Sequence, residues 1–444
     1  MPKASASKIL FAAGLLLSGL LYYFSIYELP RQQFAVILLT YSLLWLCFAL
    51  MYRYGTPPFS LRAWLGWALL LRLILLVAIP NLSNDFYRFL WDGRLIGAGL
   101  NPFLYLPENV ASGTIAQMEE LLQGMGAINA TNYSCYPPLK QAAFALAGAT
   151  GSNSVIGGII TLRLLIIMAD IGIIALGWNM LRHLGKPGYL ILLYGLNPFV
   201  IWEFTGNLHF ESIMLVALLG ALRLLQINRW LLSAVLFSAS VAVKLIPLIF
   251  LPLLWRYLGF KKALGYYAVI GLTQVIFWAF FLDGALLSNF QNTLSLYFQK
   301  FEFNASIYYL VREAGYYFVG HNIIATAGKI LPFITLAGVL VISSLRNNQK
   351  FTGLLQNMMW VILLYLALTT TVHPWYLATP LLLMVFTPYR TPLVWVFMVV
   401  LSYSAYTQTV YEENLGLILI EYSVVWGYLI WEWRHHSKNS WASA

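Results

Sequence analysis

The chain has 444 residues, of which 60% are hydrophobic and only 9% charged, with a mean hydropathy of +0.74. Soluble domains carry about 25% charged residues, and here the deficit runs the whole length, which excludes a water-soluble globular protein and leaves a polytopic membrane protein. The net charge of +10 comes from basic residues gathered in alternate loops, so it reports orientation and attraction to anionic lipid rather than nucleic-acid binding.

A membrane-crossing helix needs about 20 apolar residues. Stretches of this kind lie near 9–27, 33–51, 62–80, 155–181, 188–202, 207–226, 263–282, 322–344, 353–371, 375–388, 392–410 and 415–432. Lys3 and Lys8 before the first stretch imitate a signal peptide, but no small-residue cleavage pattern follows, so an uncleaved first helix is expected. The stretch 231–255 reads LLSAVLFSASVAVK and then LIPLIFLPLLW. It is long enough for one crossing, or for two short helices broken around Lys244 and Pro247.

Charge chooses between these. With the N-terminus inside, the inner loops hold Arg53 and Arg62, Arg182 and Lys186, Arg223 and Arg229, Arg256 with Lys261 and Lys262, Arg346 and Lys350, Arg390, and Arg434 with Lys438. The pattern holds only if 231–255 crosses twice or dips in and returns. Acidic residues agree: Glu28, Asp85, Asp92, Glu108, Glu119, Glu120, Asp283, Glu302, Glu313, Glu412 and Glu413 fall in outer loops, and Glu432 is the exception. The expected fold is therefore an all-α polytopic membrane protein of about 12–14 transmembrane helices with both termini cytoplasmic.

Residues 1–444 read as a single membrane domain with two large outer loops, 81–153 and 284–320. In the first, Asp85 to Ala98 predicts an amphipathic helix with Phe86, Phe89, Leu90 and Trp91 toward lipid or core, ended by Gly97, Gly99, Asn101 and Pro102. Residues 116–123 predict a second short helix. Loops of this kind lie along the membrane interface. Cys47 and Cys135 are far apart and give no redox reading. No fixed-period repeat, phosphate-binding glycine loop, dinucleotide turn or paired Cys/His spacing is present, so no cofactor and no metal are expected.

Ionisable residues at the outer edge carry the candidate chemistry. Asp85, followed by Tyr87 and Arg88, is placed to accept a hydroxyl proton as general base, or simply to cap its helix. Arg88 and Asp92 are four apart and pair along one helix face, while Arg88 and Arg94 equally suit a phosphate. NPFVIWEFTGNLHFES brings Glu203, Asn207, His209 and Glu211 to the junction of two spans. Lys244 sits alone in an apolar run and needs an anion, a carboxylate or a lipid phosphate. FEFNASIYYLVR, with Asn304, and HPWYLATP, with His373, Trp375 and Tyr376, add aromatic faces suited to sugars or to an ordinary membrane belt. Arg72, Arg163 and Asp170 fall deep in spans, where pairing across helices is expected.

In this order, DFYRFLWDGRLIGAGLNPFLYLP, YPPLKQ, NPFVIWEFTGNLHFE, KLIPLIFLPLL, FEFNASIYY and HPWYLATP resemble motifs of membrane glycosyltransferases of the C superfamily. The nearest likeness is to bacterial polyprenyl-phosphate-mannose-dependent mannosyltransferases, with a more distant one to the enzyme that adds the first mannose to GPI anchors. It runs from about residue 81 to 380. The resemblance implies inversion at the sugar carbon, a lipid-phosphate leaving group, and a carboxylate base in the first outer loop at Asp85. Many relatives look to have two adjacent acidic residues here; this chain has Asn84 before Asp85. Tyr136 falls in the matching YPPL segment, and Lys244 and His373 match phosphate or sugar positions.

The expected activity is transfer of a hexose, mannose by resemblance, from a polyprenyl-phosphate donor to a lipid or glycan acceptor. The expected setting is the outer face of a bacterial inner membrane, or alternatively an ER membrane. Asp85 is the expected catalytic residue, with Arg88, Asp92, Arg94, Tyr136, His209, Glu211, Lys244, Asn304, His373, Trp375 and Tyr376 binding substrate. The rivals are a flippase for a lipid-linked sugar and a polymerase or ligase of preassembled glycans. Transporters favour midplane charges and repeat halves, whereas here the charges gather at one edge.

Overall fold

The computed structural model describes residues 2–55, 59–151, 154–407 and 411–441. The side chains of Lys3 and Lys438, residues 152–153 at the end of the first large loop and residues 408–410 of the stretch 392–410 lie outside what is described. A bilayer core offers no hydrogen-bond partners, so a chain this apolar satisfies its backbone internally as helix. The described residues are indeed helical, apart from turns and one isolated parallel bridge between Phe303 and Thr371.

The chain opens with α1 (Pro2–Tyr27) and α2 (Phe34–Gly55), then α3 (Leu61–Leu73), three helices of the first large loop, α4 (Asp85–Gly97), α5 (Met118–Ala130) and α6 (Pro138–Thr150), and the long α7 (Val155–His183). Among the described residues, seven helices are long and apolar enough to cross a membrane: Lys8–Tyr27, Phe34–Gly55, Val155–His183, Phe260–Phe281, Ile324–Leu345, Phe351–Leu368 and Leu415–His436. An eighth is counted if Pro198–Gly206 and Glu211–Gln226, bent by 116°, form one broken span. Trp230–Val243, Ile246–Leu258 and Thr391–Tyr406 are shorter apolar helices.

Each apolar stretch of the sequence thus contains helix, but those near 62–80, 188–202, 231–255, 375–388 and 392–410 are shorter or more broken than a full crossing. The stretch 231–255 divides at Lys244, which ends the helix Trp230–Val243 in an extended conformation before the turn Ile246–Phe250. Pro247 and Pro252 start the turns that follow, where a missing N–H does no harm.

Backbone-to-backbone contact fixes α4 against α6. A Cβ on Gly93 would lie 1.9 Å from the Phe144 carbonyl oxygen, and one on Gly148 would lie 2.7 Å from the Gly93 carbonyl. Only glycine admits this approach. Phe86, Phe89, Leu90 and Trp91 all turn into the core rather than toward lipid.

The intramembrane charges are structural ties. Arg72 Nε donates to Asp170 Oδ2 at 2.8 Å, and its Nη1 donates to the carbonyls of Ala68 and Gly195, both at 3.0 Å. Asp170 Oδ1 accepts from Ser212 at 2.6 Å and Tyr194 at 3.2 Å, joining α3, α7 and the helix Glu211–Gln226. Arg163 Nε donates to the Thr205 carbonyl at 2.7 Å, Nη1 to Leu76 at 2.7 Å and Nη2 to Gly206 at 3.1 Å. These carbonyls belong to the two places where helix stops: the end of α3 and the break before His209, where Leu208 takes a positive φ of 61°. Glu432, the acidic exception to the charge pattern, is buried and accepts from the backbone N–H of Arg390 at 2.5 Å and of Thr391 at 3.1 Å, satisfying the start of Thr391–Met398.

Arg163→Met should therefore leave the Thr205, Leu76 and Gly206 carbonyls without donors. Each buried orphan costs about 1–3 kcal/mol, so a large drop in the thermal midpoint of the detergent-solubilised protein is expected. A midpoint unchanged within a degree or two would show that water or a neighbour replaces the guanidinium.

Candidate functional site

α4 begins at Asp85, directly after the turn that follows α3. Asn84 occupies the cap position without a side-chain cap bond, and the Asp85 N–H is bound by the Ser83 hydroxyl at 3.3 Å. The Asp85 side chain is thus not a helix cap. Among the described residues its carboxylate enters no hydrogen bond or ion pair, although it is enclosed by protein and keeps only partial solvent access. Burial raises its pKa; the charges of Lys140 and Lys244 pull it back down, and Glu211 pushes it up. Four charged groups from four elements therefore meet in one cleft.

Lys140 stands in the first turn of α6. Its Nζ lies over the rings of Tyr136 at 4.2 Å, Phe89 at 4.6 Å, Phe210 at 5.3 Å and Phe144 at 5.8 Å. Burial lowers its pKa to about 8 against the opposing pull of Glu211 and Asp85. Lys244, at the break after Val243, pairs with Glu211 and also stands 4.2 Å from the centre of the Tyr376 ring. Two cations and two carboxylates share the cleft, and of these only Lys244 and Glu211 form an ion pair.

A stack of rings makes the opposite wall. His209 lies on Trp375 with centroids 3.6 Å apart, and His373 lies on Trp375 at 4.5 Å and 7°. Behind His209, Glu203 Oε2 stands 3.7 Å from Nε2 while its Oε1 accepts from the Tyr403 hydroxyl at 2.5 Å. His373 is pushed down to about 3 by burial and then by Lys244, so its imidazole is neutral near neutral pH, and its buried Nδ1 has no hydrogen-bond partner among the described residues. The bridge at Phe303 brings the 301–304 motif to His373: Val372 N–H donates to the Phe303 carbonyl at 2.8 Å, and the Phe303 ring lies 4.9 Å from His373.

The structure thus gathers Asp85, Tyr136, His209, Glu211, Lys244, His373, Trp375 and Tyr376 around one cleft. It does not bring Arg88, Asp92, Arg94 or Asn304 into contact with them. Arg88 bonds Asp92 at 2.7 Å and the carbonyls of Asn129 and Asn132 at 2.5 and 2.9 Å, and Asp92 accepts from Ser134 at 2.5 Å and Gln141 at 3.0 Å. Arg94 donates to the Ala116 carbonyl at 2.6 Å and to Gln117 at 2.7 Å. Both arginines sew the first large loop together. Asn304, with a positive φ of 45°, donates to Glu421 at 3.2 Å and receives Tyr422 on its carbonyl at 2.5 Å. Lys140 was not among the residues singled out from the sequence. Its signal was local: Tyr136, Lys140 and Phe144 recur at intervals of four, one face of a helix, in a motif otherwise notable for its prolines.

Beside the cleft runs an open apolar groove of about 260 Å³ between the 248–252 turn, the helix Ile324–Leu345 and the end of Phe351–Leu368. Leu331, Pro332, Val339 and Leu368 line it. One end reaches Leu248 and Ile249, on the turn that follows Lys244; another reaches Thr369 and Thr370, just before His373. Among the described residues no cluster of three or more His, Cys, Asp or Glu side chains is arranged to hold a metal ion.

Comparison with known proteins adds a family. Residues 13–258, just over half of the chain, match the family described as Alpha-(1->6)-mannopyranosyltransferase, N-terminal domain. The matched span includes Asp85, Lys140, His209, Glu211 and Lys244, and ends before His373 and Trp375. The chain is similar to Alpha-(1->6)-mannopyranosyltransferase A of Mycobacterium tuberculosis, 27% identical over 219 residues, which cover 47% of this chain and 40% of that protein. It is also similar to the protein of the same name from Corynebacterium glutamicum, 25% identical over 182 residues, 40% of this chain and 35% of that one. The match spans about two fifths of the length of these relatives.

The electrostatics of the cleft have a sign that can be measured. Lys140→Met should raise the Asp85 titration further, and Glu211→Gln should lower it, because the first removes a favourable charge and the second an unfavourable one. Infrared difference spectroscopy of the Asp85 carboxyl, assigned by its loss in Asp85→Asn, would follow both. Shifts of the same sign in the two variants would break up the cluster described here.

Proposed function

The chain belongs to the alpha-(1->6)-mannopyranosyltransferase family, and from that premise we propose that it transfers a mannosyl group from a polyprenyl-phosphate donor to a glycan or lipid acceptor. The site faces the outside of the membrane, on the side where the acidic loops gather. The observation that carries this proposal is an unpaired carboxylate, Asp85, in an enclosed cleft beside two lysines and an apolar groove. A lipid phosphate needs both surroundings at once, cations for its head and hydrocarbon for its tail.

Asp85 takes the proton of the attacking acceptor hydroxyl. By the linkage in the relatives' names, that hydroxyl is a primary 6-hydroxyl of a mannose. The acceptor oxygen then bonds the sugar C1 from the face opposite the phosphate. The C1–O bond to phosphate breaks, its electron pair leaves with the phosphate, and the configuration at C1 inverts. Charge grows on the departing phosphate, so a cation already in place stabilises the transition state more than the ground state. Lys244, held by Glu211 beside Tyr376, suits that task, and the Trp375 stack offers a flat face to a sugar ring. Raised by burial, Asp85 is a stronger base than an ordinary aspartate once ionised, and the nearby lysines oppose that rise. The groove beside Lys244 takes the first isoprene units, and its open side lets the rest of the chain stay in the bilayer.

Two expected outcomes test this. Asp85→Asn should lower transfer of radiolabelled mannose from polyprenyl-phosphate-mannose by about 10²–10⁴-fold while donor binding survives; full turnover in that variant would refute a base at this position. Filling the groove with Leu331→Trp should raise KM for a long-chain donor and leave a short-chain analogue nearly unaffected. Equal effects on both donors would place the prenyl chain elsewhere.

A further inference from the structure

Of the two cations in the cleft, Lys244 already has Glu211. Among the described residues, the ammonium of Lys140 makes no hydrogen bond and no ion pair; it lies over four ring faces. A ring face holds an ammonium more weakly than a charge-assisted bond to an anion does, and Lys140 is half-buried. The cage therefore holds the charge without neutralising it, and an arriving anion supplies what is missing. Asp85 is not that anion: it forms no ion pair with Lys140, and as a base it must stay free for the acceptor proton.

Resting on the lipid-phosphate donor proposed above, we propose that Lys140, in its cage of Phe89, Tyr136, Phe144 and Phe210, is a phosphate-recognition residue that shares the donor's phosphate oxygens with Lys244. Three features support it. Lys140 stands on the first turn of α6, which glycine contact locks to α4, so the backbone positions of Lys140 and Asp85 are fixed relative to one another and the four rings hold the ammonium. The four rings exclude water from its flanks, which strengthens a single charge-assisted bond on the open side. The ligand it completes carries the negative charge that Lys244, already neutralised by Glu211, does not balance alone. The groups whose charges act on Lys140 are Asp85, Glu211, Lys244 and Cys135. With a pKa near 8, Lys140 is charged below that pH and loses its hold on an anion above it.

The test is binding of polyprenyl phosphate to the full-length protein in detergent, followed by tryptophan fluorescence, with neutral polyprenol and inorganic phosphate as parallel probes. Polyprenyl phosphate is expected to bind more tightly than polyprenol, and to weaken as pH rises through about 8. Lys140→Met is expected to weaken it roughly tenfold or more. Lys140→Arg should keep the affinity and hold it above pH 8, because a guanidinium stays charged there. Unchanged affinity in Lys140→Met, or a Lys140→Arg protein that weakens through pH 8 as the unaltered chain does, overturns the role of Lys140 and leaves the donor standing. Equal affinity for polyprenol and polyprenyl phosphate overturns both. Inorganic phosphate binding as tightly as the lipid, and lost in Lys140→Met, supports Lys140 as the phosphate residue and overturns the lipid-linked donor.

Discussion

Everything at the cleft depends on a helix that stops inside the protein. At Gly206 the chain leaves its helical path, turns through Leu208 and His209, and restarts at Glu211 in a direction 116° away. A break at this depth frees carbonyls that neither lipid nor helix can satisfy. Arg163 collects them: one planar guanidinium on α7 donates to Thr205 and Gly206 at the break and to Leu76 at the end of α3. Only because those oxygens are satisfied can His209 face Trp375 and Glu211 reach Lys244. The buried Arg72–Asp170 pair, with Tyr194 and Ser212, steadies the same region from the other side.

The arginines and lysines of this chain divide their labour along physical lines. Arg72, Arg88, Arg94 and Arg163 each use several donors at once, tying carbonyls and carboxylates of segments distant in sequence. A rigid fork of five donors suits that work. Lysines, with one mobile charge on an apolar stem, line the cleft instead. Lys140 and Lys244 both lie against aromatic rings that cover the stem's neighbourhood and leave the ammonium reachable.

Much of this was legible in the residues. Apolar length gave the all-α membrane fold, and Asp85–Gly97 appears as a helix almost where Gly97 and Pro102 demand its end. Lys244 and Pro247 announced the break in 231–255, and the ionisable residues of the outer motifs do converge. What sequence could not decide was which ionisable side chains point into the cleft. Arg88 and Asp92 carry a helical spacing that fits a surface pair or a ligand site, and only the approach of Ser134 and Gln141 makes them a buried brace. The cage around Lys140 draws Phe89 and Phe210 from other helices, a meeting that no local spacing encodes. Nor does apolar length show where helix stops: the runs near 62–80 and 375–388 fold as helices of 13 and 7 residues, the first leaving Leu70 and Val77 exposed and the second buried by protein.

The glycine contact between α4 and α6 has a mechanical meaning. Where side chains separate two helices, a rotamer change lets them slide; where main chain rests on main chain at Gly93 and Gly148, there is nothing to repack. Asp85 and Lys140 therefore stand on two helices that do not slide past one another, and side-chain rotation alone alters the distance between their charges. The facing wall is tied differently, by the bridge at Phe303, by the bonds of Asn304 to Glu421 and Tyr422, and by the rings stacked on Trp375. The cleft is thus walled on one side by main chain resting on main chain and on the other by side chains resting on side chains, and only the second kind of wall can repack.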